Sequence, residues 1–307
     1  MNYSKFSLAD LLTVLGTLGF GFFCFLSLNF ISLGETVPSI IYAVAIAMIL
    51  GGLAFGAKTL KKTSRNFKTC IIWEWILLFL FAAVALIAII PFSHYFTVAE
   101  QKSEIQQQLT ASIEQAERMF TGYEDYANKR LGIYRDRLNS IVEAKKTNSG
   151  KYNDIFEGNK DDKEQVKTKM NIFRKQLYSP DYEAMRLKDS VWIASAKAII
   201  ANWKPIGIVN VIKTIENRVS SRRDELRQFS TVRAQGEEAK DFEYLFTFDD
   251  VTGKITELDS PAALAIAVVA GLYALMLLSY FITKRHPRYP GLKMIFGTAK
   301  SAINEIK

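Results

Sequence analysis

The sequence predicts an α-helical integral membrane protein, with four transmembrane helices and a mainly helical extracytoplasmic domain that carries a small β-hairpin. Three observations lead to this fold class: four long apolar runs, a net charge confined to segments in or beside those runs, and helical periodicity in one large polar segment. The predicted parts are a three-span region over residues 1–92, a polar domain over 93–260, a fourth span over 261–283 and a basic tail over 284–307.

Four apolar runs are the predicted spans: Leu11–Leu33, Ile40–Ala57, Ile71–Ile90 and Ala262–Ile282. At about 1.5 Å per residue each can cross a hydrocarbon core of about 30 Å, the second only just. The first run is longer than the apolar core of a signal peptide, and only Lys5 precedes it against Asp10. We therefore interpret it as a retained span.

The distribution of charge predicts the orientation of these spans. Residues 93–260 hold 27 Lys/Arg and 27 Asp/Glu, so the remaining 12 bases and 4 acids carry the whole net charge of +8. Short loops rich in Lys and Arg stay in the cytoplasm. This places both termini and loop 58–68 inside, and the polar domain outside. The predicted membrane-surface bases are Lys58, Lys61, Lys62, Arg65, Lys68, Lys284, Arg285 and Arg288.

These bases predict contact with anionic lipid at the cytoplasmic face. The polar domain is balanced in charge and would exert no strong net field on a polyanion. Nucleic acid is therefore not an expected partner, although the pI is about 9.2.

The polar domain begins with a predicted long helix over 92–146. Apolar residues recur there at steps of three, four or seven, a spacing typical of an amphipathic or coiled-coil helix. Two alternatives remain open: an extended stalk, or a helix broken near Gly122 or Gly132 and folded back into a bundle. Further helices are expected after Asp161 or Asp162, after Ser179-Pro180 and from Pro205, which together indicate an antiparallel bundle.

A β-hairpin is predicted over 242–258. Aromatic residues occupy every second position from Phe242 to Phe248, Lys254–Leu258 is a weaker strand, and Asp249–Gly253 provides a turn. Because a lone hairpin is marginally stable, we expect it to pack on the bundle. An exposed edge that pairs with a partner is the alternative.

The sequence offers few groups for catalysis or metal binding. Its two histidines, His94 and His286, are far apart, and Cys24 and Cys70 both fall in or beside the apolar runs. These residues match neither the spacing of a metal site nor a Ser–His–Asp or Cys–His set. We therefore expect no cofactor, no metal and no enzymatic activity.

Glu74 is the sharpest candidate for a role in ion or proton movement, because an ionisable residue within a span often marks an ion path. It lies between Trp73 and Trp75 near the start of the third run, so placement at the membrane interface is the favoured interpretation. Small residues predict close helix packing within the chain, in preference to specific dimerisation. They are the Gly52-x-x-x-Gly56 motif and the stripe of Ala263, Ala267 and Gly271.

The chain resembles the TssN family, membrane components of the type VI secretion systems of Bacteroidetes. The resemblance lies in the architecture, above all from Phe242-Glu243-Tyr244-Leu245 through the last span to Lys284-Arg285. It implies a structural subunit of the envelope complex in the bacterial inner membrane, with a periplasmic domain, other membrane subunits as partners, and homo- or hetero-oligomers.

Two alternative functions remain. The chain also looks like a polysaccharide chain-length regulator, which frames an outer helical domain with two spans, but it has two additional spans and only Pro261 before the last one. The other alternative is an ion-conducting or stator-like subunit that uses Glu74.

Overall fold

The computed structural model describes residues 7–63, 67–248 and 251–285, and the regular structure of these residues is entirely helical. A short 3₁₀ turn, Ala144–Lys146, follows the fourth helix. The α-helices are α1 (Leu8–Ile31), α2 (Thr36–Lys62), α3 (Phe67–Glu100), α4 (Lys102–Glu143), α5 (Ser149–Asn153), α6 (Asp162–Leu177), α7 (Pro180–Ala201), α8 (Pro205–Ser230), α9 (Val251–Thr256) and α10 (Ala263–Ile282).

The chain divides into two compact units. The apolar unit comprises the residues up to Ser103 and from Thr252 onward, and the polar unit is Glu104–Val251. In the apolar unit α1, α2, α3 and α10 are long and apolar enough to cross a membrane, with mean hydropathies of 2.1, 2.3, 2.8 and 2.3. The four predicted apolar helices are therefore confirmed.

Most of the surface of these four helices faces outward and is apolar. Only 28–33% of each apolar stretch is buried within the unit, and Phe79, Leu86 and Ile87 are about 70% exposed. Soluble proteins rarely expose contiguous apolar patches of this kind. The outer surface of the unit therefore suits a hydrocarbon environment.

Pro91 does not end the third apolar helix. Proline lacks an N–H group and distorts the helical hydrogen-bond ladder. Ser27 of α1 bonds to the turn that follows Pro91, where its hydroxyl accepts from the Tyr95 N–H (2.8 Å) and donates to the Phe92 carbonyl (3.3 Å). The predicted helix over 92–146 is thus the end of α3 followed by α4, with the break at Gln101.

The polar unit is built from α4, α6, α7 and α8. α4 is continuous through Gly122 and Gly132, so neither glycine breaks it. The predicted helix starts are confirmed: Asp161 caps α6, Ser179 caps α7 and Pro205 opens α8. α4 joins α6 through the buried Tyr123 hydroxyl, which donates to the Leu177 carbonyl (2.9 Å).

The predicted hairpin over 242–258 is absent from the described residues. Residues 242–248 form an extended segment without a partner strand, and Val251–Thr256 is a helix. Asp249 and Asp250 of the predicted turn lie outside the described residues. Val251 and Ile255 are both buried, and their spacing of four suits one face of a helix. Phe242 packs against α4, so the aromatic face is covered by a helix rather than by a sheet.

Candidate functional site

A cluster of paired charges joins the four long helices of the apolar unit. Each of the four helices contributes at least one polar side chain, and the two carboxylates of the cluster are almost fully buried. We call this cluster the polar network; its members are Asp10, Lys58, Lys61, Glu74, Ser279, Tyr280 and Arg285.

One half of the polar network is centred on Asp10, which ties the start of α1 to two other helices. Ser7 caps α1, and its N–H donates to Asp10 Oδ2 (3.0 Å) while its hydroxyl accepts from the Asp10 N–H (3.3 Å). Asp10 Oδ1 accepts from Lys58 Nζ of α2 and from the Ser279 hydroxyl of α10. This capping residue therefore fixes the positions of three helix ends at once.

The other half of the network is centred on Glu74 of α3, which is fully buried. Its Oε1 accepts from the Tyr280 hydroxyl (2.6 Å) and from Arg285 Nη2 (2.5 Å). Its Oε2 has no hydrogen-bond partner among the described residues. Trp73 and Trp75 are about half exposed. Because neighbouring residues of a helix point in different directions, the tryptophans face outward while Glu74 points into the unit.

Several predicted membrane-surface bases are turned inward instead. Lys58 pairs with Asp10, and Arg285 pairs with Glu74. Lys61 Nζ donates to the Tyr280 carbonyl (2.8 Å) and lies 4.2 Å from the centre of that ring. Lys62, Lys68 and Lys284 are exposed, whereas Arg65 and Arg288 lie outside the described residues.

The predicted small-residue stripes contribute little to packing within the unit. Ala263, Ala267 and Gly271 of α10 are exposed, and a Cβ added to Gly52 or Gly271 would meet no atom within 4 Å. Only Gly56 makes a close approach, since a Cβ there would lie 3.0 Å from Leu77 Cδ1.

Three other glycines allow the close helix contacts. A Cβ on Gly16 would lie 3.0 Å from Leu275 Cβ of α10, and a Cβ on Gly21 would lie 3.1 Å from Ala47 Cβ of α2. Gly51 approaches α1 in the same way, with Thr17 Cγ2 3.1 Å from the added Cβ. The sequence shows these glycines but not the faces they occupy, because α1 and α2 are apolar all round.

The polar network is chemically suited to holding helices together. A buried carboxylate in an apolar environment is tolerated when it is paired and hydrogen-bonded, and both carboxylates here have a cationic partner. The part of the chain that the structure describes contains no group of three or more His, Cys, Asp or Glu residues arranged to hold a metal ion.

Comparison with known proteins gave no match. No protein-family model, curated protein or solved structure matches this chain. The function is therefore inferred from the chain's own geometry and architecture.

Proposed function

We propose that the chain is a structural, non-enzymatic subunit of a multiprotein complex in a bacterial envelope. Its four apolar helices span the inner membrane, both termini and loop 58–68 face the cytoplasm, and the polar unit lies in the periplasm. The apolar outer surface of the four helices and the basic excess of the short loops support this placement.

The observation that carries the proposal is the attachment of the polar unit at both ends to an internally locked anchor. In the sequence the polar unit is inserted between α3 and α10. These two helices are joined by the bonds of Glu74 to Tyr280 and Arg285, and by the Tyr273 hydroxyl, which donates to the Ala85 carbonyl (2.6 Å). These bonds hold α3 and α10 together as one anchor for the polar unit, as a scaffold requires.

The resemblance to TssN suggests which complex this is. We propose the membrane complex of a type VI secretion system, with other membrane subunits as partners and anionic lipid against the exposed bases. The experiment is affinity purification of the tagged full-length chain in mild detergent, followed by mass spectrometry, with an untagged strain as the control. Recovery of secretion-apparatus subunits supports the proposal.

Two other results, one from gene deletion and one from the purification, would change the proposed function. Loss of surface-polysaccharide length control on deletion of the gene would favour a chain-length regulator. Recovery of the chain alone, as a monomer without stable partners, would contradict both functions.

An ion-conducting role is the second candidate, and the buried, half-bonded Glu74 carboxylate is the observation that favours it. Its pairing with Arg285 favours the structural role, because protonation of the carboxylate would remove the negative charge that holds the guanidinium. The test is Glu74→Gln in the assembled complex. Full activity of the complex would exclude ion conduction through this residue.

A further inference from the structure

An extended segment lies on the surface of the polar unit. Residues 242–248, here called the aromatic segment, alternate strictly between covered and exposed positions, as a β-strand does. Phe242, Tyr244, Phe246 and Phe248 are on the covered side. No strand in the described part of the chain pairs with this segment.

The covered side is fixed to α4. The Phe242 ring packs on Tyr123, with ring centres 5.4 Å apart, and the Tyr244 hydroxyl donates to the Gln115 carbonyl (3.0 Å). The Gln115 side-chain oxygen accepts from the Thr247 N–H (3.3 Å). The segment is thus held extended before any partner arrives, so most of the entropic cost of ordering a strand falls in folding rather than in binding.

The other side of the segment is open. Leu245 is 96% exposed, and within the described residues no hydrogen bond uses the backbone N–H or C=O groups of Glu243 or Leu245. An extended segment with free backbone groups is a template for another strand. A large apolar side chain at its centre favours a partner that covers it.

We propose that the aromatic segment pairs with the same segment of a second copy of this chain, as an antiparallel two-stranded ribbon centred on Leu245. In this register all seven residues face a residue of the other copy. The ladder uses the free backbone groups of Glu243 and Leu245, and the Thr247 N–H exchanges Gln115 for the Glu243 carbonyl of the other copy. On the covered face Phe242 meets Phe248 and Tyr244 meets Phe246, which are favourable aromatic cross-strand pairs.

The exposed face of the ribbon is equally self-complementary. The two Leu245 side chains lie opposite each other and shield one another, and each Glu243 faces Thr247 of the other copy, so no like charges meet. The pattern is symmetric about its midpoint, which is what a two-fold interface between identical chains requires. A second copy is therefore the favoured occupant. The inference does not depend on the proposed envelope function.

Cysteine cross-linking of the full-length chain in its membrane tests this register. Residues directly opposite in an antiparallel pair have Cβ atoms about 4.5–5.5 Å apart, within reach of a disulfide. Leu245→Cys is therefore expected to give a reducible dimer under mild oxidation. Glu243→Cys is the matched exposed control, because the two copies of residue 243 would lie about 14 Å apart along the ribbon.

Co-expression of two different cysteine variants tests the register more specifically. Co-expression of Glu243→Cys and Thr247→Cys chains carrying different tags is expected to give a mixed dimer, although neither variant cross-links with itself. The unsubstituted chain, which keeps Cys24 and Cys70, sets the background. Equal dimer yields from Leu245→Cys and Glu243→Cys, or no dimer above background from any combination, would overturn the proposal.

A second measurement avoids cysteine chemistry. The mass of the purified chain in detergent is measured by light scattering for two lysine variants at exposed positions. Leu245→Lys sets two positive charges opposite each other, and the dimer is expected to be lost. Thr247→Lys sets a lysine opposite Glu243, so the dimer should persist. If the unsubstituted chain is monomeric, or if both variants stay dimeric, the proposed ribbon is wrong.

Discussion

Glu237→Gln is expected to loosen the segment that follows α8 in the polar unit. Arg130 of α4 holds this segment, because its Nε and Nη2 donate to the two oxygens of Glu237 at 2.7 and 2.6 Å. Arg130 also donates to the Ser230 carbonyl at 2.8 Å, and Glu237 accepts from the Ala234 N–H at 3.0 Å. The Arg130 and Glu237 side chains are only 4% and 7% exposed.

The expected magnitude follows from this burial. Removing one partner of a buried ion pair costs about 3–5 kcal/mol. We expect about 3 kcal/mol, the lower end, because glutamine retains one acceptor for the guanidinium and the Ser230 carbonyl still binds it. The assay is amide hydrogen exchange of the full-length chain in detergent, measured by mass spectrometry. Protection of the hydrogen-bonded amides within residues 231–248, such as those of Ala234 and Phe242, should fall roughly a hundredfold.

The same pair predicts a dependence on pH. Burial raises the pKa of Glu237, but the Arg130 hydrogen bonds and the Ala234 N–H outweigh it, and the net pKa is lowered. The stabilisation is therefore complete above the unfolded pKa of about 4.3 and is lost as the pH falls through the lower folded pKa. Exchange protection should weaken below about pH 4 in the unsubstituted chain. In Glu237→Gln this weakening of protection at low pH should be absent.

A matched surface variant provides the control. Asp136 pairs with Arg135, and both side chains are more than half exposed, so Asp136→Asn should change stability by less than about 0.5 kcal/mol. If Glu237→Gln leaves protection of residues 231–248 within about twofold of the unsubstituted chain, the Arg130 pair does not hold this segment and the reasoning is refuted.

Three further predictions concern the apolar unit and the membrane. Arg285→Gln should lower the free energy of unfolding of the apolar unit in detergent by about 3 kcal/mol, because it leaves the buried Glu74 carboxylate without its cation. Glu74→Gln should lower it by only about 1 kcal/mol, because the Arg285 side chain is 22% exposed and can be hydrated. Equal losses for the two variants would contradict this reasoning. Gly16→Leu should cost about 1–3 kcal/mol by overpacking against α10, while Gly271→Leu should be neutral, as thermal unfolding would show. A membrane-impermeant maleimide should label Glu243→Cys in intact spheroplasts under reducing conditions, and labelling only after lysis would reverse the proposed orientation.

The sequence predicts the four apolar helices well, because length and hydropathy alone decide them. The starts of α6, α7 and α8 were also predictable, since an aspartate, a serine followed by proline, and a proline act locally at a helix N-terminus. In each case the determining interaction lies within a few residues of the helix end.

The polar network could not be predicted, because its pairs are distant in the sequence. Glu74 and Arg285 are 211 residues apart, and Asp10 and Lys58 are 48 apart. Hydropathy shows that α10 is apolar but not which face it buries, so the predicted packing of the stripe at Ala263 within the chain is wrong: this stripe is exposed.

The hairpin prediction was wrong for a different reason. Alternation from Phe242 to Phe248 indicates an extended backbone with one covered face, and this the structure has. Alternation does not say what covers that face, and here α4 does so in place of a second strand.

The composition and size of the complex extracted from the native membrane test the central proposal most directly. The tagged chain would be expressed at its natural level, extracted in mild detergent and analysed by native mass measurement and mass spectrometry of the components. We expect an assembly well above one 34.7 kDa chain, with other membrane proteins in fixed ratio to it. A single chain in its micelle, without any stoichiometric partner, would contradict a structural role in an envelope complex.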